Sequence, residues 1–158
     1  MFMAVLILMV YTGLLVYYIQ AICQRPLRRQ FAQKFYQAIV KTNRLGYPSV
    51  RSAIEDLGSP VEYPQLIVTL KCDFLALTYL LKNTANVHPR YTYEQYLLIL
   101  YFKLLYVSLV TRHWLGLRET PAVLKLTAIL QYFANVVGER VNSVQYGNLA
   151  ASDFVLDI

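Results

Sequence analysis

Two side chains of opposite charge sit in the middle of otherwise apolar stretches: Asp73 in QLIVTLKCDFLALTYLL and Lys103 in YLLILYFKLLYVSLV. An unpaired carboxylate or ammonium loses its hydration in an apolar interior, so each needs a partner. Asp73 is the candidate partner for Lys103 within the chain, and the expected product is a structural ion pair. A proton- or ion-handling pair is the sharper chemical alternative, and no other residue supports it. His88 and His113 are far apart and match no HExxH or other ligand spacing. There is no P-loop, GxGxxG, GxSxG or CxxC. The acids are few and scattered, so no catalytic residue, metal or cofactor is expected, and the chain is not expected to be an enzyme. Cys23 and Cys72 are too few for a disulfide framework. Cys72, inside an apolar helix, is expected to be a small buried hydrophobe, and Cys23 to sit at a membrane edge.

Two surface constellations stand out instead. Residues 1–54 hold seven basic side chains and no acid, whereas residues 55–158 hold eight basic and nine acidic ones. Arg25, Arg28, Arg29, Lys34, Lys41 and Arg44 form a cationic neck suited to anionic lipid headgroups, at about 1 kcal/mol per residue near the surface. No nucleic-acid-binding motif accompanies this charge, so nucleic acid is not expected as a partner. The second constellation is aromatic. The chain has fourteen tyrosines, a residue that buries a large area while keeping a polar tip. Tyr93, Tyr96 and Tyr101 are expected to face a protein partner. Phe154, in a tail that mixes Asp153 and Asp157 with apolar residues, is expected to join them.

The elements that must carry these residues are helical. Phe2 to Ile22 is a run of residues without a charge. As a helix it spans roughly 30 Å, the thickness of a bilayer's hydrocarbon core. No basic residue precedes the run and it is longer than a usual signal-peptide core, so a secretory signal is not expected. The cations behind the run place that side in the cytoplasm by the positive-inside rule, with the N-terminus outside and Tyr17 and Tyr18 in an aromatic belt.

Beyond it, Leu27, Phe31, Phe35, Ala38 and Ile39 are spaced for one face of a basic amphipathic helix. A short helix over 49–57 follows. Pro64 opens a helix to about Lys82. Thr92 to Gln95 form a capping box for a long helix to about Leu115, stopped by Gly116. Thr120-Pro121 opens a last helix to about Val137, with Val123, Leu126, Leu130, Phe133 and Val137 on one stripe and Gly138 as its stop. No alternating strand pattern is present.

The expected fold is therefore all-α. A transmembrane anchor (1–23) leads to an amphipathic juxtamembrane helix (24–46), a cytoplasmic bundle of four to five helices (47–141) and a tail (142–158). The helix over 96–110 is expected to lie at the bundle's centre. Residues 65–82 carry two central charges, costing about 6 kcal/mol against about 4 returned by the apolar residues, so this segment should not insert alone. A three-span arrangement is the alternative.

The chain is 57% hydrophobic and only 15% charged, against about 25% charged in ordinary soluble domains. The excess apolar surface must meet lipid or protein. The expected role is a non-catalytic accessory subunit of a larger membrane protein complex, of the respiratory or photosynthetic kind, with other subunits and anionic lipids as partners. A stand-alone membrane-tethered adaptor is the alternative.

Overall fold

The computed structural model describes residues 1–31, 34–57, 62–84 and 92–155. Among them the chain is all-α, with six helices and no strand: α1 (Phe2–Leu27), α2 (Tyr36–Asn43), α3 (Tyr47–Leu57), α4 (Tyr63–Asn83), α5 (Tyr93–Trp114) and α6 (Thr120–Val155). The architecture is the expected one, a long apolar N-terminal helix followed by a helical bundle. Four helices, α1, α4, α5 and α6 over Thr120–Ser143, are long and apolar enough to cross a membrane.

The bundle is built around α6. Val123, Leu126, Leu130, Phe133 and Val137 are all buried, as their spacing predicts. Ile129, Ala134 and Val136 are buried as well, so the core surrounds the helix on most sides. Helices α2, α3, α4 and α5 all pack against it. This corrects the expectation that the helix over 96–110 is central. In α5, Leu98, Phe102 and Leu109 point inward, but Leu100, Leu104, Val107 and Val110 point out of the bundle. Its composition is apolar all round, yet only one side of it faces the core.

Gly138 does not stop α6, which continues to Val155. Its lack of a side chain serves packing instead. A Cβ there would lie 2.5 Å from the Phe35 Cβ and 3.2 Å from the Phe35 carbonyl oxygen. The glycine thus lets the chain entering α2 rest directly on α6. The expected tail is accordingly helical through Val155.

The neck also differs from expectation. Pro26 is accommodated within the last turn of α1, which ends at Leu27. The amphipathic helix is confined to Tyr36–Asn43, and Arg44 closes it in a left-handed conformation with φ 50°. Asn135, buried on α6, accepts a hydrogen bond from the Tyr36 N–H at 2.9 Å and fixes the start of α2.

Helix ends account for several other buried polar groups. Gln95 Oε1 accepts the Thr92 N–H at 3.1 Å, the expected closure at the start of α5. Arg140 donates to Gln95 Oε1 at 3.2 Å and to the Leu81 carbonyl at 3.0 Å. One guanidinium therefore ties α6 to the start of α5 and neutralises the carbonyl end of α4.

Candidate interaction surface

Helix α1 meets the bundle along only part of its length. Every side chain from Phe2 to Tyr18 is exposed, and coverage begins at Ile19. The Cys23 thiol is buried and faces the Leu97 carbonyl at 3.7 Å. Higher up, Val16, Ile19 and Gln20 line a cavity with Tyr101, Leu104, Ser108 and Arg112. The two helices therefore run antiparallel, and the free N-terminal part of α1 heads toward the end of the bundle where α5 turns into α6.

The burial of Cys72 expected from its apolar context is not observed. Cys23 is the buried one, and Cys72 is exposed on the outer side of α4. Apolar context predicts burial only if the apolar face points inward, and the Cys72 face does not.

The bundle is two-sided. Exposed residues of α2 and α3 are mostly polar, among them Gln37, Lys41, Asn43, Ser49, Ser52 and Glu55. Exposed residues of α4 and α5 are mostly apolar: Val68, Leu75 and Tyr79 on one, Tyr96, Leu100, Leu104, Val107 and Val110 on the other. Between α4 and α5 an open cleft of about 400 Å³ is lined by Lys71, Phe74, Leu75, Phe102, Lys103, Tyr106 and Val107. Phe74 and Phe102 stack at its floor with ring centroids 4.0 Å apart.

Asp73 and Lys103 do not form the expected ion pair; no such bridge joins them among the described residues. Lys103 shares the cleft with Lys71, a like charge, one on each helix. Asp73 is buried on the opposite side of α4, where its Oδ2 accepts the Tyr47 N–H at 2.6 Å. The carboxylate is thus the cap of α3, answering unpaired N–H groups and the positive end of the helix dipole. Gly46, just before, is packed so closely that a Cβ would lie 2.6 Å from Thr69 Cγ2. That closeness brings the start of α3 within reach of Asp73. A residue on a neighbouring helix satisfies the charge, so spacing within α4 and α5 could not reveal it.

Of the expected partner residues, Tyr93 and Tyr96 are exposed, at 73% and 62%. Tyr101 is only 5% exposed and belongs to the bundle's own core, which corrects its assignment. Phe154 lies in the last stretch of α6, where the helix backbone alone is described. Of the neck cations, Arg25, Arg28, Lys34, Lys41 and Arg44 are exposed. Arg29 is engaged: it bridges Glu139 at 3.3 Å and its guanidinium stands 5.2 Å above the Phe31 ring. Arg51 is committed too, to Glu55 at 2.9 Å and Gln131 at 2.8 Å. His88 lies outside the described residues, and His113 pairs with Glu119 at 2.6 Å and stacks on Tyr63.

No group of His, Cys, Asp and Glu among the described residues is arranged to hold a metal ion. No family model, curated protein or solved structure matches the chain.

Proposed function

We propose that the chain is a non-catalytic subunit of a larger membrane protein complex, held in the bilayer by α1 and joined to its neighbour through the outer face of α4 and α5. The observation that carries this reading is the apolar stripe on those two helices, which the described residues leave exposed. Water is a poor neighbour for it: contiguous apolar patches of this kind mark interaction sites. Lipid alone is also a poor neighbour, because Lys71 and Lys103 stand near the middle of their helices. Each would cost about 2.5–3.5 kcal/mol at the centre of a bilayer. A protein surface that is apolar with a carboxylate opposite the two ammonium groups meets both requirements. The antiparallel run of α5 beside α1 favours a partner that is itself a membrane protein.

Purification in mild detergent tests this. The proposal expects a stoichiometric companion that is lost when Leu100 and Leu104 are both replaced by serine, with the chain itself still folded. A monomer in every mild detergent, from its native membrane, contradicts it.

A second reading is favoured by the exposed neck. Arg25, Arg28, Lys34, Lys41 and Arg44 would serve a stand-alone adaptor bound to anionic lipid. In that case the purified monomer binds anionic vesicles, and neutralising these cations abolishes a salt-sensitive part of the binding.

A further inference from the structure

We propose, on the strength of α1 lying in lipid, that the turn joining α5 to α6 is a second membrane contact: Trp114, Leu115 and Leu117 enter the interfacial layer, with Arg112 and Arg118 at headgroup level.

The turn is rigid. Gly116 adopts φ +64°, a conformation that suits a residue without a side chain. The Leu117 N–H returns to the Arg112 carbonyl at 2.9 Å, and the Gly116 N–H to the His113 carbonyl at 3.1 Å. Arg112 then donates to the Arg118 carbonyl at 3.2 Å and closes the loop from outside.

This frame holds large apolar groups outward. Trp114 is 88% exposed, Leu115 67% and Leu117 55%. In a glycine-ended helix, the residue at the Leu117 position frequently packs back on the last turn. Here the facing residues of that turn are Arg112 and Thr111, so Leu117 has no apolar partner there and stays exposed.

Direction selects the occupant. The free length of α1 heads toward this same end of the bundle, so whatever lipid α1 enters lies on the side of the turn. The hydrocarbon core does not suit it, because Arg112 and Arg118 would each cost about 2.5–3.5 kcal/mol there. Water does not suit the indole and the two leucines. The interface suits both: an amphipathic ring at headgroup depth, with cations among phosphates.

Trp114 is the sole tryptophan of the chain, so its fluorescence reports this turn alone. The full chain is reconstituted into vesicles of phosphatidylcholine and phosphatidylglycerol carrying spin-labelled lipid, with the label near the headgroup or near the chain end. The shallow label should quench Trp114 more than the deep one. Acrylamide should quench it about twofold less than in a Leu115→Ser/Leu117→Ser variant, whose exposed side chains are not needed for folding. Quenching by neither lipid label, with equal acrylamide access in both proteins, overturns the proposal. So does stronger quenching by the deep label. Flotation of the vesicles reads α1 separately. A chain that floats with a water-exposed Trp114 loses only this inference, whereas one that fails to float loses the reading of α1 as well.

Discussion

Replacing Asp73 with alanine should weaken the bundle far more than replacing Lys103. The Asp73 carboxylate accepts the Tyr47 N–H at 2.6 Å in a buried setting. A hydrogen bond to a charged group is worth about 1.5–3 kcal/mol. An anion at a partly buried helix N-terminus adds about 0.3–2 kcal/mol. Asp73→Ala removes both and leaves the N–H unpaired, for an expected loss of about 2–4 kcal/mol. Asp73→Asn keeps an acceptor and loses only the charge, so about 1 kcal/mol is expected. Lys103→Gln touches an exposed side chain and should stay within about 0.5 kcal/mol. Guanidinium unfolding of the protein in mild detergent, followed by far-ultraviolet circular dichroism, gives the three midpoints. Equal losses for Asp73→Ala and Lys103→Gln, with a double variant no worse than either, would mean that the two residues act as a pair. That result would refute the capping account.

Glycine substitutions should separate packing from propensity. Gly138→Ala forces its Cβ against the Phe35 backbone and should cost about 1–3 kcal/mol through overpacking. Gly13→Ala, with nothing within 4 Å, should be neutral or raise helix stability by up to about 1 kcal/mol. Tyr47→Phe removes a buried hydroxyl that has no hydrogen-bond partner among the described residues, so thermal unfolding should be unchanged or shifted upward. A marked loss there would reveal a partner for the hydroxyl. In the purified native protein, a maleimide should modify exposed Cys72 quickly and buried Cys23 only on unfolding. The reverse order, read by intact mass, would invert the assigned faces of α1 and α4.

Local signals were legible in the residues alone. The Gly116 stop, the Thr92–Gln95 closure and the Val123–Val137 stripe each depend on groups within one helix, and each appears as its spacing predicts. The uncharged run at the start likewise becomes one long exposed helix. What escaped depends on a neighbour. Leu98 and Leu100 are the same residue type in the same helix, yet one is core and the other outward. Composition cannot distinguish an apolar face that meets the core from one that meets a membrane or another subunit, so α5 looks central and α6 merely amphipathic. Gly138 reads as a stop because glycine ends many helices, while its actual use is contact with Phe35. Asp73 finds its partner on α3, a contact between helices that no periodicity within α4 encodes.

The proposed role requires that the exposed length of α1 from Phe2 to Tyr18 lie in lipid. Alkaline carbonate extraction of membranes from cells producing the full chain is the most direct measurement. The chain should stay in the membrane pellet, and a version lacking residues 2–18 should be released in larger part. Release of the intact, folded full chain into the supernatant would contradict the account.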